Sequence, residues 1–389
     1  MIESKPSAAL TPHEGEAISN ETYLLYGYLG GRNIGDDAML LSFLSLAPAS
    51  AKYIVLARSV EDLPKKPDRD LTVIAASPKA ILKSMGRCQG IVRVGGTEFH
   101  DEYKDARARK MLWKNIQYSG ILFLGRLLGK KAAAFGVGAG KPERFSTKLC
   151  EKVFLKSCNI VVARDIDTYN DYRTKTKRAI LGLDLAMLSD LPPVSPEAGR
   201  LGVSLVDMER YDLVDQLSFW KALIEKALEG NPSPQLHLFA FRDNDVESDL
   251  PITIQIADWG KSKGWPTTIW KYDIGIERML EEIARCEKVL ATRYHSAIFA
   301  ARANVPMCIV PYNEKLLMLA RDLELPSECV INLESWSSSR KISDEVFGVA
   351  SLSSAFYKRQ SDFRWALTAF FSLVPGRRIE VKSSGTVLP

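Results

Sequence analysis

The chain has 389 residues, and 52 Lys and Arg against 47 Asp and Glu leave a formal charge of +5. Apolar residues are 46% and charged residues 25%, which excludes a wholly disordered chain and a fibrous repeat and suits two or three folded domains. No run of about 18 uncharged apolar residues exists, so no transmembrane helix is expected.

Residues 1–21 are polar and read as a disordered lead-in, without the basic and apolar regions of a secretory signal. From Tyr23 short apolar runs alternate with longer segments of helical character. The runs are Tyr23–Leu29, Tyr53–Ala57, Thr72–Ala76, Gly90–Val94, Ala132–Val137, Ile160–Ala163 and Ala179–Leu185. Several are continuous in Val, Ile, Leu and Ala, as strands buried on both faces of a parallel sheet must be. Leu191–Gly199 carries three prolines in five residues and reads as a linker. The rhythm restarts at Leu201–Val206 and continues through Leu236–Phe241, Thr267–Trp270, Val289–Ala291 and Met307–Val310. The expected architecture is α/β, two tandem doubly wound, Rossmann-like domains with an interdomain cleft. The domains span 22–190 and 200–345, joined by a linker at 191–199. A terminal helix lies within 346–375, and 376–389 form a loose tail.

In open parallel sheets, ligands bind outside the carboxyl ends of the strands. Here each strand end carries polar residues. The turn Gly27–Asp37 is glycine-rich and holds Asn33, Gly35 and Asp36, and its N–H groups suit an anion. Its spacing is not the dinucleotide fingerprint, and the next strand ends in Arg58 rather than an acid, which leaves only a 2′-phosphate reading. The loop with Gly95, Gly96, His100 and Asp101 suits a polyhydroxylated ligand. Arg164-Asp165 is either a structural pair or a guanidinium offered to a carboxylate or phosphate. Arg293 and His295 flank Tyr294 just before a helix, where the dipole favours a neutral imidazole able to exchange a proton. Tyr312 and Lys315 follow the last strand and either cap it or contact ligand. Four scattered histidines and six cysteines without C-x-x-C give no metal signature, and the cysteines fit a reducing, cytoplasmic setting.

Taken in order, these motifs resemble the polysaccharide pyruvyl transferase family over roughly residues 22–325. The matching elements are N-x-G-D at Asn33–Asp36, GG-x-x-x-x-D at Gly95–Asp101, G-x-G-x-G at Gly136–Gly140 and R-D at Arg164-Asp165. Asp184, R-x-H at Arg293–His295 and Y-x-x-K at Tyr312–Lys315 complete the set. Thr97 stands where the family often has a third glycine, and Lys141 where it usually has proline. The resemblance implies a GT-B-like fold and transfer of pyruvate from phosphoenolpyruvate onto two sugar hydroxyls as a ketal. It implies His295 as the proton-handling group, Arg164, Arg293 and Lys315 on the donor, and Asn33, Gly35, Asp36, Gly95, Gly96, His100 and Asp101 on acceptor or phosphate. No cofactor or metal is called for beyond phosphoenolpyruvate as co-substrate. A sugar or lipid-linked saccharide is the expected acceptor, and no nucleic-acid partner is expected. The rival readings are a nucleotide-sugar glycosyltransferase of GT-B type and a non-catalytic glycan-binding paralogue.

Charge is uneven. Residues 101–178 hold 18 Lys and Arg against 8 Asp and Glu. Within them, the apolar stretch Met111–Leu124 sits beside Arg107, Arg109, Lys110 and Arg126. It reads as a core helix with a solvated basic face, or as peripheral contact with an anionic membrane at the inner side of the cytoplasmic membrane.

Overall fold

The computed structural model describes residues 21–64, 68–101, 105–191, 193–208, 215–244, 247–331, 333, 346–350 and 354–374. Apart from Glu21, the expected lead-in lies outside them, as does the expected tail.

The first domain runs β1 (Thr22–Tyr26), α1 (Ile34–Leu46), β2 (Lys52–Ala57), β3 (Asp70–Ala75), α2 (Pro78–Met85), β4 (Gly90–Val94) and β5 (Thr97–Glu98). It continues with α3 (Asp105–Leu127), β6 (Lys131–Ala139), α4 (Phe145–Ser157), β7 (Ile160–Ala163), α5 (Ile166–Lys175) and β8 (Ala179–Leu181). The strand order is β3-β2-β1-β4-β6-β7-β8, with β5 pairing the end of β6. All these pairings are parallel.

The second domain runs β9 (Arg200–Ser204), α6 (Gln216–Leu228), β10 (Gln235–Phe239), α7 (Leu250–Ser262), β11 (Thr267–Trp270) and α8 (Ile276–Ala284). Then come β12 (Lys288–Ala291), α9 (Tyr294–Arg302), β13 (Met307–Ile309) and α10 (Glu314–Asp322). Its parallel order is β11-β10-β9-β12-β13. Each sheet therefore reverses its winding once, between β1 and β4 and between β9 and β12. Crevices open at such reversals, and these two carry Asn33–Asp36 and Arg293–His295.

One expected strand is shorter than its apolar run. β8 stops at Leu181, and the Gly182 N–H turns back to the Ala163 carbonyl at 2.8 Å. Leu185–Leu188 instead form a buried 3-10 turn capped by Asp184. Their apolarity comes from packing beneath α1 and α9, not from pairing.

α1 is apolar on nearly every side, and a helix of that kind must be buried all round. It packs against α8 and α9 of the second domain as well as the first sheet. The final helix, α11 (Ser354–Phe371), returns to the first domain. Phe363 and Phe370 meet Phe135 at 5.6 and 5.8 Å between ring centres, and Phe371 meets Tyr23 at 4.7 Å. The Lys131 ammonium donates to the Phe371 carbonyl at 3.2 Å, a cation at the helix end where the dipole favours one. All six cysteines are buried, and none is in a disulfide. No helix among the described residues is long and apolar enough to cross a membrane.

Candidate active site

The two reversals meet directly. The Ile34 N–H donates to the Phe241 carbonyl at 3.0 Å, and Asn33 forms an antiparallel bridge with Arg242. Asn33 caps α1, its side chain accepting from the Gly35 N–H at 3.2 Å. That places Gly35 and Asp36 in the first turn, facing the second domain. The His295 imidazole lies flat against Gly35, so close that any Cβ there would collide with the ring. This explains a glycine inside a helix, where it otherwise costs about 1 kcal/mol relative to alanine.

His295 stands in the first turn of α9. Its Nε2 is buried, has no hydrogen-bond partner among the described residues and lies 3.8 Å from Asp184 Oδ1. Burial pushes its pKa below the ordinary value, against the opposing pull of Asp184 and Asp36. The result is a neutral imidazole with an unspent nitrogen, enclosed by groups from both domains.

Arg164 is buried beside it. Its guanidinium stacks over Tyr294 at 4.3 Å, donates to Thr97 Oγ1 at 2.7 Å, and reaches Asp165 and Asp184 at 3.4 Å each. A Cβ on Gly138 would strike this guanidinium, so the G-x-G-x-G run serves close approach. Asp165 itself caps α5, accepting from the Thr168 N–H at 2.7 Å.

Arg293, expected on the donor, stands at the N-terminus of α9. It is buried and closed against Asp249 and, at 2.8 Å, Glu247. Two carboxylates already match it, so in this geometry it anchors the turn that carries His295. The same turn is held by Thr292 Oγ1 donating to the Ser204 carbonyl at 2.6 Å.

Asp101 is also committed. It accepts from the N–H groups of Glu143 and Arg144 at 2.7 and 2.8 Å and from Thr147 Oγ1 at 2.7 Å, closing the start of α4. Burial would raise its pKa, but these donors hold it below the ordinary carboxylate value. Gly95 and Gly96 shape the loop through positive φ angles of 54° and 90°. A side chain on either would meet Met39 or Arg93. His100 and Lys315 come together across the domains, Lys315 Nζ 3.1 Å from His100 Nε2. Both line a groove of about 1090 Å³, with Gly140, Lys148 and Lys152.

Near Asp36, Arg242 and Lys114 were not read as site residues in the sequence, and Arg58 was read only as a partner for a 2′-phosphate. Arg242 interacts electrostatically with Asp36 and Tyr28 and is paired with Glu247. Arg58 and Lys114 lie over the Tyr28 ring at 4.7 and 5.5 Å, and burial lowers the Lys114 pKa. Arg242 was visible as a strand-end residue, whereas Lys114 is mid-helix and gave no signal. No cluster among the described residues suits a metal ion.

Solved structures share the architecture at low identity. An E. coli structure described as trehalose-6-phosphate bound with UDP-2-fluoro glucose has a TM-score of 0.51 and 10% identity, covering 91% of this chain and 100% of that one. UDP-GlcNAc 2-epimerase from Methanocaldococcus jannaschii has a TM-score of 0.49 and 13% identity, over 81% and 90%. A kitacinnamycin glycotransferase has a TM-score of 0.48 and 12% identity, over 90% and 95%. The first likeness and the paired parallel sheets show a GT-B-like fold. No curated protein sequence matches the chain. A family model described as polysaccharide pyruvyl transferase matches residues 33–314, from the Asn33 cap to the start of α10. That span covers most of the chain and every motif from Asn33 to Arg293–His295, so the chain belongs to the polysaccharide pyruvyl transferase family.

Proposed function

We propose that the protein transfers pyruvate from phosphoenolpyruvate onto two hydroxyls of a sugar, forming a ketal and releasing phosphate. The observation that carries this reading is His295, neutral, buried and with a free Nε2, where the two domains converge. Membership of the family supports the same reaction.

The chemistry moves a proton onto the methylene carbon of the donor while C2 becomes cationic and is attacked by one sugar hydroxyl. A neutral imidazole takes that hydroxyl's proton and passes it to the methylene carbon. The C–O bond to phosphate then breaks, and the second hydroxyl closes the ring, its proton passing through the imidazole to the departing phosphate. A group that both takes and returns a proton serves these steps, and an imidazole near neutrality does so. Asp36 and Asp184, both close enough to act electrostatically on His295, stabilise the imidazolium while it exists. Arg164 is the cation for the donor's carboxylate or phosphate. Arg293 keeps a donor role only through displacement of Glu247, and otherwise acts by positioning His295. The groove with His100 and Lys315 has room for a saccharide acceptor, in the assembly of a surface polysaccharide or a lipid-linked saccharide.

The test is phosphate release from phosphoenolpyruvate across a panel of glycosides and lipid-linked sugars, with nucleotide sugars as competing donors. Release that depends on a glycoside supports the reading. Consumption of a nucleotide sugar in its place makes the protein a glycosyltransferase, and sugar binding without turnover with any donor makes it a glycan-binding protein.

A further inference from the structure

The long helix α3 turns an apolar stripe outward. Trp113 is 71% exposed, and Ile116, Phe123 and Leu127 are exposed with it. With Gly120 they follow a three-and-four spacing, which aligns side chains along one side of a helix. Open space surrounds Gly120. The opposite side holds the helix in place: Asn115, Ser119, Ile121 and Leu122 are buried, and Ser119 Oγ donates to the Cys150 carbonyl of α4 at 2.9 Å. The core-helix reading of this stretch is therefore right for one side only. α4 adds Phe145, 82% exposed, and Leu149.

Scattered exposed apolar residues are ordinary, but six on two packed helices form a patch. Its charge is one-sided. Residues 106–131 contain no carboxylate. α4 contains only Glu151, which is buried and paired with Lys175 at 2.7 Å. α3 opens with Asp105, and among the side chains described on these helices the exposed ionic ones are Arg109, Lys110, Lys148, Lys152 and Lys156. An apolar stripe bearing Trp and Phe, edged mostly by cations, complements the interface of an anionic bilayer.

We infer that α3 and α4 dock on an anionic membrane surface, with Trp113, Phe123 and Phe145 entering the headgroup region. The inference does not depend on the donor. It also assigns α4 two duties, because Lys148, Lys152 and Lys156, on the same solvent face of the helix as Phe145 and Leu149, line the groove that holds His100 and Lys315. A membrane-borne acceptor would reach that groove along one helix face.

Sedimentation of the full chain with phosphatidylglycerol-containing and pure phosphatidylcholine vesicles tests this. Binding to the anionic vesicles should exceed binding to the neutral ones at least tenfold and should fall at high salt. Trp113→Ser with Phe123→Ser should reduce it at least tenfold. Arg109→Glu with Lys110→Glu should reduce it further than fivefold, since each surface cation contributes roughly fivefold. Unchanged circular dichroism shows that these variants fold. Failure to bind anionic vesicles, or binding that both variants retain, overturns the proposal. So does a wild-type dimer that the Trp113/Phe123 variant converts to monomer, which would make the face a contact between copies. Phosphoenolpyruvate turnover is not a readout, so failure here leaves the donor reading standing.

Discussion

The His295 centre and the groove around His100 treat charge in opposite ways. At the first, Arg164 is met by Asp165 and Asp184, and Arg293 by Asp249 and Glu247, all inside the protein. In the groove, Lys148, Lys152 and Lys156 stand in solvent. A charge-matched, buried centre holds the His295 ring in one place and, at rest, in its neutral form. An open groove with solvated lysines leaves space and charge for a larger ligand. On the proposed function, the difference separates where bonds change from where a saccharide is held.

The largest expected effect breaks the first region chemically. His295→Ala and His295→Gln should lower turnover by about 10²–10⁴-fold, with donor affinity changed far less. If affinity collapses while turnover at saturation survives, His295 is a binding residue and His100 becomes the candidate proton donor.

The next separates the two arginines. Arg293→Ala strands the buried Asp249 carboxylate and should cost roughly 3–5 kcal/mol of stability in a denaturant titration. Adding Asp249→Asn should restore part of it. Arg164→Ala strands Asp184 and should also cost stability, but unlike Arg293→Ala it should weaken phosphoenolpyruvate binding as well, by roughly 1.5–3 kcal/mol for a lost charge-assisted contact. Wild-type donor affinity in Arg164→Ala would remove that residue from the donor site.

A third is geometric. Gly35→Ala suits a helix but pushes the imidazole aside. A displacement of about 1 Å at a reacting group costs on the order of 10²-fold, so turnover should fall by that much without loss of thermal stability. Unchanged kcat would show that the ring's position is not critical.

The smallest expected effect lies at the domain junction. Asp37 accepts from the Gly30 N–H at 3.1 Å and from the Tyr272 hydroxyl at 2.7 Å. Burial pushes its pKa up to about 7 despite these donors. The unfolded value is about 3.9, so the folded protein retains a proton that the unfolded chain releases between them. Its contribution is therefore complete below about pH 4 and is lost as pH rises through 7. Asp37→Asn should remove this slope from the stability–pH curve; an unaltered slope would place the titration elsewhere.

The fold was legible because strands buried on both faces must be nearly continuously apolar; β1 and β7 read that way, and β4 does so but for Arg93, which is buried against Glu98. The motif positions were legible for the same reason, since strand ends mark where loops gather. What each polar residue does there was less so. Asp249 and Glu247 lie more than forty residues before the arginine they neutralise, and no local pattern links them. Asp101 looks like a ligand-facing acid until α4 is seen to need a cap. The stripe on α3 has the apolar content of a core helix, and only the packing of Ser119 against α4 shows which side is covered.

The return of α11 has a mechanical consequence. The chain passes between the domains twice, once before β9 and once after β13, and its end is riveted to the first sheet by Phe363, Phe370 and Phe371. Two tethers leave less freedom than one. They resist sliding and separation and favour rotation about an axis running near both crossings. A swing about such an axis would carry the parts of the domains farthest from both crossings through the widest arc.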